Sequence, residues 1–593
     1  MSDKLQSIPT LLNRLWLHIH PRRKRQFVLL LVLMVLTSFA EVISIGAVMP
    51  FLAALAAPNK VLEYSSIQPL IKIFDIASVD QLLLFVTIVF GSAAVIAGIM
   101  RVILLKVNIR LSFAAGADLS MNIYKRTLYQ PYQVHLSRNS SEIINGISVN
   151  ASLVINHVIT PVLTLISSTL MIGVILIALL IYDPVVACIL FGGLSVLYGI
   201  IMMISQKKLI FYSERISIES VQVIKSLQEG LGGIRDVLLD GSQKTYTDIY
   251  NQADQTFRRA QGNIQFIGQS PRYVFEALGI LLITIFSYTL AKTSGGVSHA
   301  IPILGAFALG AQRLLPVIQQ AYNSWSAILG CKLTLQETLS LLDQPLPEKF
   351  DMPQAEPIAF NNAIELRDLS FKYTPNGNLA LHNINFNVAK GSRVGIIGQT
   401  GSGKSTLVDL LMGLLQPTEG LFTIDGLEVN IGNSRKWQMH IAHVPQAIYL
   451  SDSSIEENIA FGVQKNKIDA QRVRMAAEQA KISESIESWP MQYETLVGER
   501  GVRLSGGQRQ RIGIARALYK QADVIIFDEA TNALDNDTEQ AVMDAIDGLN
   551  KDLTIIIVAH RLSTLSKCNE IIELSEGKII RTGLYEEIVG SMV

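Results

Sequence analysis

Charge is scarce in this chain: only 17% of its 593 residues are Asp, Glu, Lys or Arg, and 50 basic residues offset 50 acidic ones. Soluble domains carry about 25% charged residues, so the deficit points to a membrane-embedded portion. Zero net charge argues against nucleic acid as a partner. Cysteine is scarcer still. Cys188, Cys331 and Cys568 are scattered, with no CxxC or metal-ligand spacing, which excludes a disulfide framework and a zinc cluster. Each fits a small buried residue in a reducing cytosol or a bilayer interior. A cleavable signal segment is not expected either, because the first long apolar run, from Phe27, is too long for one.

Apolar residues are abundant, at 49% of the chain, and mean hydropathy is +0.34. They gather into six runs, near 27–55, 82–105, 156–181, 185–205, 273–291 and 300–323. Roughly 20 apolar residues suffice to cross a bilayer. The basic cluster His20-Pro21-Arg22-Arg23-Lys24-Arg25 precedes the first run, and the long segments 106–155 and 206–272 are also basic. The excess of cations places these segments, and both termini, in the cytoplasm. Helical periodicity persists through them, as in Ile216, Val221, Ile224, Leu227 and Leu231. They are expected to be cytoplasmic extensions of the spans, with short cross-helices around Tyr132–Ser140 and Gly230–Val237.

A chain this long exceeds one ordinary core. Pro345, Pro347, Pro353 and Pro357 mark a linker over 343–362, dividing a transmembrane domain (1–342) from a second domain (363–593). In the second, short apolar strands alternate with helical runs, the pattern of a parallel α/β sheet. Gly398-Gln399-Thr400-Gly401-Ser402-Gly403-Lys404-Ser405-Thr406 lies between an apolar strand and a helix, the context of a phosphate-binding loop. Gly398, Gly401, Ser402 and Gly403 would wrap backbone amides around a polyphosphate. Lys404 would reach the β- and γ-phosphates, and Ser405 would ligate Mg²⁺, with Thr406 beside it. Val524–Asp528 is an apolar strand ending in Asp528, a second Mg²⁺ candidate, and Glu529, a candidate base for an attacking water. Tyr373 is placed to stack on an adenine ring. Ser505-Gly506-Gly507-Gln508 opens a helix and forms a second anion-facing site.

This combination resembles the ATP-binding cassette family over nearly the whole chain. Six spans followed by one nucleotide domain are similar to a half-size exporter of the type I fold. The resemblance implies ATP and Mg²⁺ as cofactors. It also implies that Ser505, Gly507 and Gln508 close on the ATP of a partner chain. Gln446, in Val444-Pro445-Gln446, matches the glutamine that contacts Mg²⁺ and couples to the membrane domain. Asp535, in Ala533-Leu534-Asp535, matches the D-loop, with Asn532 where serine is commoner. His560 matches the switch histidine that contacts the γ-phosphate. No catalytic position is degenerate, so a homodimer with two competent sites is expected.

Ionisable residues in apolar spans are functional candidates. Arg101, Arg272 and Arg313 fall toward the cytoplasmic side and are candidates to grip a phosphate-bearing head group. An alternative is that Arg101 and Arg272 snorkel, with Arg272 paired to Glu276. Ile67, Leu70, Ile71 and Phe74 suggest an amphipathic helix at the outer interface. Together these features resemble bacterial lipid-linked oligosaccharide flippases. The implied function is export of a lipid-linked saccharide pyrophosphate to the outer leaflet of a bacterial inner membrane. Lipid A-like glycolipids, drugs or peptides are alternative cargoes, and an ATP-gated channel or regulator is an alternative of another class.

Overall fold

The structure is a computed structural model that describes residues 6–56, 58, 78–182, 184–291, 314–346, 356–529, 539–540, 552–559 and 562–589. The chain divides into two compact units. One comprises Met1–Gln130 with Arg138–Glu348, and the other Pro131–Ser137 with Lys349–Val593.

Long helices build the first unit: Pro21–Ala56, Val79–Leu128, a helical run over 140–182, Pro184–Gly232, Gln243–Ala291 and 314–330. Val79–Leu128 starts cleanly because Ser78 and Gln81 form a reciprocal capping box, and it closes with Lys125 and Arg126 in its last turn. Its 50 residues would extend about 75 Å at the α-helical rise, far beyond a hydrocarbon layer of about 30 Å. The helices therefore carry the chain well past the membrane.

Among the described residues, three stretches are long and apolar enough to cross: Pro21–Val48, Val79–Leu128 and Ser140–Ile177. The expected fourth and fifth spans fall within Pro184–Gly232 and Gln243–Ala291. Most of the expected sixth span, the loop before it and the expected helix at 67–74 lie outside the described residues.

Polar groups lace the interior of this unit. Asn145 donates to Asn150 and Ser220, while Asn150 and Ser217 both donate to Glu337 on the helix Lys332–Leu342. Small polar residues permit close helix approach and satisfy one another where water is excluded. Two π turns, Gly146–Asn150 and Ile155–Ile159, bracket this part of the 140–182 run. Such turns re-aim side chains within a helix.

The second unit contains two sheets. Strands β1 (Ala363–Phe371), β2 (Leu381–Ala389), β4 (Glu419–Ile424) and β5 (Leu427–Glu428) form an antiparallel sheet in the order β2-β1-β4-β5. The larger sheet has the order β10-β9-β3-β8-β7-β6, comprising β3 (Arg393–Gly398), β6 (Ile441–Val444), β7 (Val524–Asp528), β8 (Thr554–Val558), β9 (Glu570–Ser575) and β10 (Lys578–Gly583). From β9 to β6 its neighbours are all parallel. Strands buried on both faces become continuously apolar, as in Thr554–Val558, where every residue is buried. The carboxyl ends of parallel strands gather loops on one edge, the usual ligand side of such a sheet.

The linker is narrower than composition suggests. Ile358 and Phe360 pack into the core of the second unit, and Arg126 and Gln130 donate to the carbonyls of Gln344 and Pro345 in the first. Proline content marks a break in regular structure without revealing which flanking residues are buried.

Short helices stand where cross-helices are expected, at Tyr132–Leu136 and Ile234–Leu239. The first of these belongs with the second unit, not with the helices that flank it in sequence.

Candidate functional site

The phosphate-binding loop joins β3 to the helix Lys404–Leu411. Gly398 has φ +150° and Gly403 φ +101°. A Cβ at Gly398 would lie 2.3 Å from the Leu574 carbonyl oxygen, and one at Gly403 would lie 2.8 Å from Leu381 Cδ2. Glycine alone fits both positions. The helix that follows has no side-chain cap, so its first amides are left for an acceptor from outside. Ser402 Oγ is buried with no hydrogen-bond partner. Lys404 is buried and donates to the carbonyls of Gly398 (2.7 Å) and Gln399 (3.0 Å). Uncapped amides, an orphaned hydroxyl and one buried cation together suit a polyphosphate.

The acids arrive from the other strand ends. Asp528 closes β7, and Glu529 follows with a left-handed φ of +51°. That conformation is costly for a residue with a Cβ, and such strain concentrates at functional positions. Here the Glu529 amide donates to the Val558 carbonyl (2.9 Å), and Glu529 Oε2 accepts from Gln446 Nε2 at 2.6 Å. Two expected catalytic residues thus meet across 83 positions of sequence. A carboxylate so oriented can take a proton from an attacking water.

Ser405 is exposed on the first turn of the loop helix. Tyr373 presents its ring at the surface, 40% exposed, while its hydroxyl shares a 2.9 Å hydrogen bond with Thr406 Oγ1. Ser505 caps the helix Gly506–Lys520 through a capping box in which Gln508 N donates to Ser505 Oγ and Ser505 N donates to Gln508 Oε1. Both signature side chains accept in the cap through their oxygens, which leaves the Ser505 hydroxyl proton and the Gln508 amide nitrogen as donors, with Gly507 in the first turn. His560 and Asp535 lie outside the described residues.

Two features escape the sequence reading. Asp409 stands one turn beyond Ser405, and burial, with Asp528 adding its charge, pushes its carboxyl up to about 6. The segment 131–137 meets the same region: Gln133 Nε2 donates to the Tyr373 carbonyl at 2.8 Å. Burial, then Asp409 and Tyr373, raise the Tyr132 phenol. An acid at i+4 from Ser405 is a signal the sequence contains, whereas nothing local announces the partner of residues 131–137.

Two of the three candidate cargo arginines, Arg101 and Arg272, are engaged within the chain. Arg101 pairs with Glu41, which is almost fully buried, and Arg272 Nε lies 2.7 Å from Glu276 Oε1. Arg313 lies outside the described residues. Pairing to a carboxylate is the cheaper state for a guanidinium in an apolar span.

Comparison with known proteins agrees with these motifs. The pattern of the family described as ABC transporter matches residues 381–532, and that of the ABC transporter transmembrane region matches 27–308. An ATP-dependent lipid A-core flippase of Saccharophagus degradans is 30% identical over 477 residues, covering 80% of this chain and 79% of its own length. The chain belongs to the ABC transporter family. As an ABC transporter it couples ATP hydrolysis to transport, through a helical membrane region followed by an α/β nucleotide-binding domain. A lipid A-core flippase of Pseudomonas aeruginosa is 28% identical over 485 residues, 81% of this chain and 79% of that one. The solved structure of a bacterial Atm1-family ABC exporter with ATP bound shares the fold, with TM-score 0.76, 23% identity and 96% coverage of both chains.

Proposed function

We propose that this transporter flips an amphipathic glycolipid from the inner to the outer leaflet of a bacterial cytoplasmic membrane, working as a homodimer with both termini inside. One observation carries the cargo class. A cavity of about 470 Å³ in the membrane unit is lined by Gln261, Gln265, Gln269, Asn323, Ser326 and Thr334, with Leu153, Ile216 and Ile264 alongside. Ser326 Oγ and Thr334 Oγ1 are buried without hydrogen-bond partners. Neutral amides and hydroxyls beside apolar walls suit part of a saccharide head group. The names of the relatives support a lipid A-type glycolipid over a polyprenyl-pyrophosphate oligosaccharide.

In this reading Gly398, Gly401, Ser402, Gly403, Lys404 and Thr406 hold the ATP phosphates, and Tyr373 stacks on the adenine. Ser405, Asp528 and Gln446 would hold Mg²⁺, which would supply neutralising charge for the phosphates. Glu529 is the base, held in place by Gln446, and His560 contacts the γ-phosphate. Ser505, Gly507, Gln508 and Asp535 complete the site of a second copy.

ATP turnover in lipid nanodiscs tests the cargo, with Glu529→Gln as the blank. Selective stimulation by a lipid A-type glycolipid, blunted by Gln265→Leu, is the expected result. Stimulation by polyprenyl pyrophosphates alone, or by neutral drugs alone, would overturn it.

A further inference from the structure

An apolar groove of about 400 Å³ lies where the N-terminal helix Ile8–His18 meets Pro21–Ala56 and the 140–182 run. Every side chain lining it is apolar, including Leu15, Trp16, Val28, Leu31, Val162 and Ile166. The helix buries Leu11 and Leu15, while Trp16, Val28 and Leu31 stay between 41% and 61% exposed, so the groove opens at the surface.

Its charges sit at one end. Lys24 precedes Phe27, Val28 and Leu31 by three, four and seven positions, which places it at the head of the same helical stripe. Lys24 Nζ lies 5.6 Å from the centroid of Trp16, whose ring is 5.8 Å from that of Phe27. Neighbouring cations are already matched: Arg14 and His18 to Asp343, and Arg23 to Asp118. Among the described residues no carboxylate pairs with Lys24, or with the exposed Arg22 and Arg25.

We propose that this groove is a binding site for one anionic phospholipid of the cytoplasmic leaflet. An acyl chain lies against Leu15, Leu31 and Ile166, and the phosphate meets Lys24 and Arg25. An interfacial amphipathic helix with a polybasic flank is the arrangement that anionic lipid favours, and Trp16 belongs at head-group depth. Only the choice of leaflet rests on the orientation proposed above.

The test counts lipids bound to the delipidated full-length protein by native mass spectrometry, titrating phosphatidylglycerol against phosphatidylcholine. One tight phosphatidylglycerol per protomer is expected. Lys24→Ala and Arg25→Ala should each weaken it about fivefold, the effect of one cation at a lipid surface. Ile166→Trp should fill the groove and abolish it. If that variant misfolds, the variants Lys24→Ala, at a half-buried position, and Arg25→Ala, at an exposed one, decide the matter. Quenching by brominated phosphatidylglycerol, lost in Trp16→Phe, locates the chain independently of transport. Equal binding of phosphatidylcholine, or affinity unchanged in Lys24→Ala/Arg25→Ala, would overturn the proposal. Displacement of phosphatidylglycerol by the transported glycolipid at equal affinity would do so too, because the groove would then be a cargo entry.

Discussion

The two halves of this transporter handle buried polarity in opposite ways. In the nucleotide half the cores between and around the sheets are apolar, and the chemistry is presented at strand ends by backbone conformation: glycines at φ values closed to other residues, and Glu529 held left-handed. In the membrane half the polar groups lie inside. Asn145, Asn150, Ser217, Ser220 and Glu337 hydrogen-bond to one another between helices, and Glu41 is matched by Arg101. The contrast has a physical source. Buried amides and hydroxyls between the cytoplasmic extensions are tolerated because they meet partners, and their pairing favours one helix packing over another. Glu41, within its span, is matched by the charge of Arg101. A soluble sheet gains its stability from apolar burial and can reserve polar groups for the ligand edge.

The sharpest test of the contrast is chemical. Glu529→Gln is expected to cut ATP turnover about a thousandfold, yet to leave thermal unfolding unchanged because the side chain is not part of a core. Turnover within tenfold of the parent would remove Glu529 from the role of base. Next in size is Trp437→Ala. Trp437 is fully buried, and its indole N–H donates to the Leu411 carbonyl (2.8 Å) at the end of the loop helix. Loss of ring and hydrogen bond should cost the nucleotide half about 3 kcal/mol or more, read as a lower calorimetric transition.

In the membrane half, Arg101→Ala removes a guanidinium partner of the buried Glu41 carboxylate and should cost about 2 kcal/mol, the partial exposure of Arg101 softening the loss. Glu41→Leu/Arg101→Leu should recover most of it. If the single and double variants unfold alike in detergent titration, the pair does not hold the helices together.

The smallest effects concern pH, and they carry opposite signs. Burial lowers His443 on β6 from 6.5 to about 4. The unfolded chain gains that proton first, so this contribution is present above pH 6.5 and is lost as pH falls toward 4. Glu337, in the cytoplasmic extension, is raised by burial against the hydrogen bonds from Ser217 and Asn150. Its contribution is present below pH 4.5 and is lost as pH rises through its elevated value. His443→Gln should flatten the acid limb of the nucleotide-half transition, and Glu337→Gln the rise of the membrane-half transition on acidification. Slopes of the same sign in the two parent transitions would break the contrast.

Legibility followed the range of the interactions. The phosphate loop could be read because its glycines, Lys404 and Ser405 are contiguous, and their conformational demands are local. The helix start at Ser505–Gln508 could be read for the same reason, as could the Arg272–Glu276 pair at i+4. Arg101 could not be assigned its partner, since Glu41 is 60 residues away on another helix. Nor could Ile358 and Phe360 be separated from the linker around them, because their burial depends on strands that come later in the chain.

What the amino-acid order settled unaided is the division of labour: apolar runs long enough to span a bilayer, then a nucleotide-binding loop between strand and helix. Period, length and allowed φ are properties of neighbouring residues, so no tertiary information is needed. Tertiary structure alone decided which acid meets which amide or guanidinium, and that residues 131–137 join the nucleotide-binding unit near Tyr373 and Asp409. Those outcomes depend on packing between segments far apart in the chain, where a shift of one helical turn changes every partner.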